Sequence, residues 1–386
     1  LQTLQIPCGG LLINRILEQN DLDLDRYSEQ QILLEKFLKL PGNQPIFTVP
    51  QQVKEPLGGI ALDRITDQIQ KIDSVKLAAP PPIEWPEKLL PSFKDFIAEE
   101  RQLILIGGKG GVGKTTVAAA IGWALASRYP HKNIRMISID PAHSLGDAFG
   151  EKLGHEPTQL APNLSGQEVN ADIVLEQFRN DYLWELAEMI SGEGTEEGTV
   201  KLAYSPEAWR QIVAQALPGI DEMLSLVTVM DLLDRKQQDL IILDTAPTGH
   251  LLRFLEMPTA LGDWLAWIFK LWMKYQNVLG RVDLMGRLRS LRQQVMQAQK
   301  KLKNPQHTEF IGVVQAQAAV VAEQVRLTAS LKKMGVSQRY VVHNRYSSNE
   351  EVDGGLFTEQ TIVRLPSLPR SVEAIDRIKG AANLLF

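Results

Sequence analysis

The chain carries the run Gly108-Lys109-Gly110-Gly111-Val112-Gly113-Lys114-Thr115-Thr116 directly after a short apolar segment, Leu103–Ile106, and directly before a helical pattern that opens at Val117. This run satisfies the pattern G-x-x-x-x-G-K-[ST] in the order strand, loop and helix. Its glycines let backbone N–H groups curl around an anion, and the helix that follows presents its positive end to that anion. The run therefore predicts a phosphate-binding loop rather than a glycine-rich turn without a ligand.

Two side chains of the loop have a predicted chemical role. Lys114 is expected to reach the β- and γ-phosphates of a nucleotide, and the Thr115 hydroxyl is expected to coordinate Mg²⁺. The backbone of Gly108 through Thr116 is expected to surround the phosphates. ATP and Mg²⁺ are thus the predicted cofactors.

Short apolar runs recur along the chain after this loop, with helical stretches between them. They are Leu103–Ile106, Ile134–Ile139, Leu240–Leu243, Phe310–Val314, Tyr340–Val342 and Thr361–Leu365. Such runs are typical of a parallel sheet covered on both faces, so the predicted fold is α/β, with a doubly wound, mostly parallel sheet of the P-loop type. Asp140 and Asp244 each follow one of these strands, at the edge where ligands bind in such sheets.

The chain also repeats itself over short distances. Residues 11–15, Leu-Leu-Ile-Asn-Arg, resemble residues 341–345, Val-Val-His-Asn-Arg, and residues 60–65 resemble residues 373–378. Each pair occurs in the same order, with a short apolar strand and prolines between. We interpret residues 1–77 as the last part of a second, related domain; chance similarity of two short apolar patterns is the alternative.

Bulk composition narrows the class of protein. The net charge of −5 argues against a nucleic-acid partner held by phosphate neutralisation, and one cysteine, Cys8, allows neither an internal disulfide nor a four-cysteine zinc site. A signal peptide is not expected, because the first residues contain no basic segment. A transmembrane helix is not expected either, because the most apolar stretch, Leu251–Met273, is interrupted by charges. The expected location is the cytoplasm.

Three runs together resemble the ArsA/GET ATPase family, which includes arsenical pump-driving ATPases and targeting factors for tail-anchored membrane proteins. They are the loop at 107–116, Asp140-Pro141-Ala142-His143-Ser144-Leu145-Gly146-Asp147, and Asp244-Thr245-Ala246-Pro247-Thr248-Gly249-His250. The resemblance covers nearly all of residues 100–386. The whole chain resembles a tandem-domain member that lacks most of its first domain.

This resemblance implies a domain organisation. Residues 1–77 would be the C-terminal part of an incomplete domain, and residues 78–92 a proline-rich linker. Residues 93–386 would be a complete ATPase domain of the deviant Walker A class. That domain would contain helical insertions at about 171–233 and 251–303.

The same resemblance implies roles for individual residues. Asp140 would orient or deprotonate the attacking water, and Asp244 would bind Mg²⁺ through water, although each could instead be an aspartate that caps a turn. Lys109 would cross a dimer interface, of a homodimer or tandem pseudo-dimer, and supply charge to the partner's nucleotide. Asn344 would recognise adenine beside the segment that begins at Pro366.

Several departures from the family pattern bear on function. Gln317 stands where targeting ATPases carry a glutamate that reaches the partner's nucleotide, and both the Cys-x-x-Cys zinc site and the arsenite-binding cysteine trio are missing. A targeting ATPase is our first interpretation and the motor subunit of an arsenite or anion pump the alternative. Long helical stretches and the negative charge argue against a DNA-partitioning ATPase, and Asp140 against a binding module without hydrolysis.

The region between the second aspartate run and Phe310 has an unusual composition. Leu251–Lys303 is rich in tryptophan, methionine and leucine, and its first part is apolar almost all round. A second helical stretch, Ile173–Ile190, is also aromatic. These regions are expected either to form a groove for a hydrophobic membrane-protein client or to pack helix against helix.

Overall fold

The computed structural model describes residues 9–17, 24–40, 44–52, 56, 58–75, 77, 82–93, 101–140, 144–178, 180, 220–245, 266 and 282–386. The chain divides into two compact units. Unit 1 comprises Leu1–Trp85 with Leu368–Glu373, and unit 2 comprises Pro86–Ser367 with Ala374–Phe386. The division after Trp85 falls within the predicted linker.

Unit 1 contains a three-stranded sheet. Its elements are β1 (Leu11–Ile16), α1 (Leu24–Leu38), β2 (Ile46–Pro50), α2 (Gly59–Thr66) and β3 (Gln70–Ile72). Strand β2 lies in the centre, parallel to β1 and antiparallel to β3. Few side chains of this unit are fully buried: every residue of α2 is at least partly exposed, and Ile60 and Leu62 are largely exposed.

Unit 2 is built around an eight-stranded sheet in the order β11-β10-β9-β4-β8-β5-β7-β6. Its elements are β4 (Leu103–Gly107), α3 (Lys114–Arg128), β5 (Ile134–Ser138), α4 (Ser144–Phe149), β6 (Thr158–Ala161), β7 (Leu164–Glu168), α5 (Ala171–Phe178), α6 (Ile220–Asp234), β8 (Leu240–Asp244), α7 (Val282–Leu302), β9 (Thr308–Val314), α8 (Ala318–Met334), β10 (Tyr340–Tyr346), β11 (Thr361–Pro366) and α9 (Ala374–Leu385). All neighbouring strands are parallel except β6 and β7.

Helices cover both faces of this sheet. On one face, residues of α6, α7 and α8 form a single buried cluster with Leu103, Leu105 and Phe310. On the other face, α3 packs against α4 and α9, and Gly122 of α3 lies directly over Met136 and Ile242. The predicted doubly wound α/β fold is therefore confirmed.

The structure adds elements that the sequence did not indicate. Strands β6 and β7 form an antiparallel pair at the edge of the sheet, where no strand was predicted. Helix α6, placed in a predicted insertion, contributes Leu226, Val229 and Met230 to the core. Within the described part of the chain, no helix is both long enough and apolar enough to cross a membrane.

The register of three neighbouring strands brings polar residues together at one edge. Ser138, the last residue of β5, lies opposite Asp244 on β8 and opposite Glu168 on β7. Residues directly opposite each other in a sheet project from the same face. The phosphate-loop sequence follows β4, which pairs with β8 on the other side of Asp244, so the candidate site lies at this edge.

Candidate nucleotide-binding site

The loop between β4 and α3 approaches two neighbouring strands too closely for side chains. Gly108 and Gly113 have φ angles of +148° and +90°. A Cβ atom on Gly108 would lie 2.4 Å from the Val313 carbonyl oxygen, and one on Gly113 would lie 2.2 Å from Asn344 Nδ2. Because such distances are not tolerated, both positions require glycine, and the loop backbone is held against β9 and β10.

Helix α3 begins at Lys114, so the first amides of this helix have no partner within the helix and face the loop. Lys114 itself is buried, and its ammonium group donates to the Lys109 carbonyl oxygen at 3.5 Å, across the loop. The glycines at the tip of the loop, Gly110 and Gly111, are exposed. A cation and a helix N-terminus that share one concave loop form an arrangement suited to polyphosphate.

The Thr115 hydroxyl connects three elements of the site. It donates to Asp244 Oδ2 at 2.7 Å and lies 2.8 Å from the Ser144 hydroxyl, at the start of α4. Thr115 thus joins the phosphate loop to the end of β8 and to the helix that follows Asp140. Ser144 was not singled out from the sequence, although it belongs to the run that begins at Asp140.

Asp244 is the most deeply buried carboxylate of this group, with 1% of its surface exposed. Burial raises the pKa of Asp244 to about 7, while the Thr115 hydrogen bond and the Lys114 charge act in the opposite direction. The other carboxylate oxygen, Oδ1, is buried and has no hydrogen-bond partner. An orphaned carboxylate oxygen inside a protein is costly, so a ligand that satisfies it would be favoured.

The residues around Asp244 fit a magnesium ion. Mg²⁺ prefers oxygen ligands and is usually bound through one or two protein groups together with substrate phosphates and water. The hydroxyl of Thr115 and the orphaned oxygen of Asp244 supply such ligands next to the phosphate loop. In the part of the chain that the structure describes, no cluster of three or more His, Cys, Asp or Glu side chains is placed to hold a metal by itself.

Asp140 is tied to Asp244 through Ser138. The Asp140 amide donates to Ser138 Oγ at 3.3 Å, and Ser138 Oγ donates to Asp244 Oδ2 at 3.5 Å. Ser138 is almost fully buried, so this link is shielded from water. The predicted water-orienting residue and the predicted magnesium-binding residue therefore lie on adjacent strands and share one buried hydroxyl.

Asn344 lies against the phosphate loop. Its Nδ2 donates to the Val112 carbonyl oxygen at 2.8 Å, and its Oδ1 accepts the Arg345 amide at 2.9 Å. The residue is 5% exposed. Adenine recognition by Asn344 stays a prediction, whereas its contact with the loop is a feature that the sequence did not indicate. Pro366, the other residue predicted beside the base, ends β11 opposite Tyr346 and is half-buried.

Lys109 has a partner in its own chain. Its Nζ lies 3.8 Å from Glu323 Oε2 on α8, and both side chains are partly exposed. A partly exposed ion pair of this length contributes little to stability. Lys109 therefore lies at the surface beside the loop, and its predicted contact with a second nucleotide stays a prediction.

Other sequence predictions fall outside the described residues. These are Cys8, residues 141–143 with His143, residues 246–250 with His250, and most of the tryptophan-rich region, 251–265 and 267–281. Gln317 is described: it is the exposed residue that precedes α8.

A family model described as anion-transporting ATPase matches residues 101–364. The matched range contains the phosphate loop, Asp140, Asp244 and Asn344. It begins at the first residue after the undescribed segment that follows Phe93, and it does not include unit 1.

Curated relatives of the chain are also named as ATPases. The "ATPase GET3" of Komagataella phaffii is 28% identical over 334 residues, covering 77% of this chain and 93% of the relative. The "ATPase GET3" of Candida glabrata is 31% identical, with coverage of 77% and 93%. The "ATPase ASNA1 homolog" of Babesia bovis is 32% identical over 290 residues, covering 69% of this chain and 74% of the relative.

Proposed function

The chain belongs to the anion-transporting ATPase family and is an ATP-hydrolysing enzyme, and on that premise we propose that it couples hydrolysis of Mg·ATP to the opening and closing of a dimer or tandem pseudo-dimer. One observation carries the proposal. The loop that precedes α3 lies beside a buried Asp244 whose second oxygen lacks a partner, and Thr115 hydrogen-bonds the first oxygen. This is an arrangement that a metal-bound triphosphate would complete.

The roles of the residues follow from where each side chain lies. Lys114 neutralises charge on the β- and γ-phosphates from the floor of the loop, and the first amides of α3 bind the oxygens that face them. Thr115 and Asp244 would hold the metal, which would supply positive charge that stabilises the charge developing on the phosphate oxygens. Asp140, fixed through Ser138 to the same edge, orients the attacking water.

Lys109 would couple ATP hydrolysis to the partner half of the dimer or pseudo-dimer. Its ion pair with Glu323 is long and partly exposed, so the lysine is released at little cost. In a closed dimer or pseudo-dimer, Lys109 would add positive charge to the nucleotide of the other half. Loss of the γ-phosphate would remove its target and favour opening.

Unit 1 is proposed to be the C-terminal part of a second domain of the same fold. The strand pair β1–β2 reproduces features of the pair β10–β11: both pairs are parallel, both have a register irregularity after an asparagine, and both end at a proline, Pro50 or Pro366. Arg15 and Arg345, which follow the two asparagines, both have left-handed φ angles. These shared details support common descent over chance similarity.

The proposed purpose is delivery of tail-anchored membrane proteins. It rests on the likeness to proteins named ATPase GET3 and on the apolar composition of residues 251–273 and 173–190. Pumping of arsenite or another anion is the second candidate, because the matching family model carries the description anion-transporting ATPase. The presence of one cysteine only counts against arsenite as the pumped anion.

ATP turnover tests the assigned chemistry. Lys114→Ala and Asp140→Asn are each expected to lower kcat by at least about 100-fold, since each removes a charge that acts in the transition state. Asp140→Asn should still bind Mg·ATP, whereas Lys114→Ala should bind it weakly. Lys333→Ala, an exposed lysine of α8, is the matched control and should keep native turnover. Full turnover in either of the first two variants would refute the assigned roles.

A defined client separates delivery from pumping. A soluble reporter that ends in a single apolar helix is mixed with the chain, with and without Mg·ATP, and compared with the same reporter whose helix carries two added charges. Co-elution of the apolar reporter alone supports delivery. Absence of any complex, together with arsenite-stimulated turnover, supports the pump.

A further inference from the structure

Glu168 is a buried carboxylate at the site edge to which no role has been assigned so far. It ends β7 directly opposite Ser138, which in turn lies opposite Asp244, so three polar residues form a row across three strand ends. Only 6% of its surface is exposed. A carboxylate is buried at a considerable cost unless donors satisfy it, so its contacts indicate what it holds in place.

The Glu168 side chain holds helix α4. Its Oε1 accepts the Gly146 amide at 2.8 Å, in the first turn of that helix. A negative charge at the first turn of a helix is stabilising, because the amides there are unpaired and the helix dipole is positive at that end. The Glu168 amide also donates to the Gly154 carbonyl oxygen at 2.8 Å, which fixes the end of β7. Glu168 is thus a rigid support for α4.

Gly146 allows this contact. A Cβ atom at Gly146 would lie 2.6 Å from the Glu151 carbonyl oxygen, whereas the Glu151 amide donates to the Gly146 carbonyl oxygen at 3.0 Å. The chain therefore folds back closely on α4 at this residue. An added methyl group would push α4 away from Glu168.

Helix α4 carries Ser144, whose hydroxyl lies 2.8 Å from the Thr115 hydroxyl. Thr115 in turn donates to Asp244. A continuous path of contacts therefore runs from Glu168 through α4 and Ser144 to the two side chains proposed to hold the metal.

We propose that Glu168 is a positioning residue for ATP hydrolysis, which fixes α4 so that Ser144 orients the Thr115 hydroxyl for metal binding. This inference rests on the proposed function. Glu168 acts on α4 through the Gly146 amide and is not one of the proposed phosphate or metal ligands, so its loss should spare metal-free nucleotide binding by the phosphate loop. It should impair the steps that need the metal.

The experiment compares Glu168→Ala with Glu168→Gln in the full chain. In Glu168→Ala we expect the Mg²⁺ concentration for half-maximal turnover to rise about tenfold and kcat to fall about tenfold, the usual scale for outer-shell partners of metal ligands. The affinity for ADP without Mg²⁺ should stay at the native value. Glu168→Gln keeps an oxygen that accepts the Gly146 amide, so it should restore most of both quantities.

Glu309→Gln serves as a control for the loss of a buried carboxylate. Glu309 is fully buried near the start of β9, paired with Arg101 and Arg339 at the opposite edge of the sheet. Its substitution should lower thermal stability without changing the Mg²⁺ dependence of turnover. If Glu168→Ala behaves like this control, Glu168 is merely structural and the proposal is overturned.

Gly146→Ala tests the same contact by changing the residue whose amide donates to Glu168. This variant also provides a test if Glu168→Ala fails to fold. It should raise the Mg²⁺ requirement in the same direction while leaving metal-free ADP affinity unchanged. A native Mg²⁺ requirement in Gly146→Ala, with Glu168→Ala unfolded, would count against positioning. Failure of the native chain to hydrolyse ATP at all would instead refute the proposed function.

Discussion

The strand pair β1–β2 of unit 1 and the pair β10–β11 of unit 2 have the same local geometry. Asn14 Oδ1 accepts the Arg15 amide at 2.8 Å, and Asn344 Oδ1 accepts the Arg345 amide at 2.9 Å. The two arginines have φ angles of 62° and 54°. Residues other than glycine, asparagine and aspartate rarely adopt this conformation. Five residues with a shared pattern thus produce the same turn of the backbone twice.

Their surroundings differ. In the described part of unit 1, β1 is an edge strand and Asn14 is exposed, whereas β10 lies between β9 and β11 and Asn344 donates to the Val112 carbonyl oxygen of the phosphate loop. The helices that follow differ likewise, since α2 buries no residue and α9 buries five.

This difference separates what a short segment encodes from what the whole domain supplies. The asparagine and the left-handed residue after it are set by neighbours in sequence. Burial comes from the neighbouring strands β9 and β11, and the contact with the phosphate loop comes from Val112, 232 residues away in the sequence. A binding site therefore needs contacts supplied by the whole domain, and a local backbone conformation alone does not create one.

The largest expected contrast is in stability. Ile378 of α9 is almost fully buried, and its counterpart in the repeat, Ile65 of α2, is half-buried. Ile378→Ala should lower the free energy of opening of β10 and β11 by about 2–5 kcal/mol, because it leaves a cavity. Ile65→Ala should lower that of β1 and β2 by less than about 1 kcal/mol. Hydrogen exchange of each strand pair measures both, and equal losses would break the comparison.

An intermediate contrast is expected in nucleotide affinity. Asn344→Ala removes the donor to the Val112 carbonyl oxygen and should weaken ATP binding by about tenfold, or about 1.4 kcal/mol. Asn14→Ala should leave ATP affinity unchanged. Calorimetry with ATP and with inorganic tripolyphosphate divides the effect further. An equal loss for both ligands shows that Asn344 acts through the loop, and a loss confined to ATP shows that it acts on adenine.

The smallest effect should be the same in both copies. Arg15→Gly and Arg345→Gly each relieve a left-handed backbone conformation, so each should raise the free energy of opening of its own strand pair by up to about 1 kcal/mol. Hydrogen exchange again provides the measurement. Effects of opposite sign would mean that the two turns are alike in φ but not in energy.

The sequence predicted the sheet, the phosphate loop and the strand-end positions of Asp140 and Asp244 because each depends on local pattern. It missed β6 and β7, since Thr158–Ala161 and Leu164–Glu168 are short, mixed in polarity and antiparallel. It also missed Ser138, Ser144 and Glu168 as members of the site. Ser138 and Glu168 depend on register between strands, and Ser144 depends on the packing of α4 against α3, neither of which a run of adjacent residues reveals.

The position of Asn344 shows the same limit in another form. The sequence predicted that Asn344 follows a strand ending at Val342, whereas it lies within β10, Tyr340–Tyr346, and a role towards adenine was inferred from resemblance. Its contact with Val112 joins residues 232 positions apart. Such a contact follows from the strand order β10-β9-β4 in the sheet and not from the residues around Asn344.

The turn between β6 and β7 contains Asn163, whose amide nitrogen lies 2.9–3.1 Å from the carbonyl oxygens of Ala126, Tyr129 and Lys132, where α3 ends. This surface turn contains the exposed Pro162 and would be a natural choice for inserting a fluorescent label. An insertion there would detach Asn163 from the end of the helix whose first turn follows the phosphate loop. A fluorescent label inserted beside Asn163 would disturb the nucleotide binding that it was meant to report. The exposed turn around Asn349 is a safer insertion site.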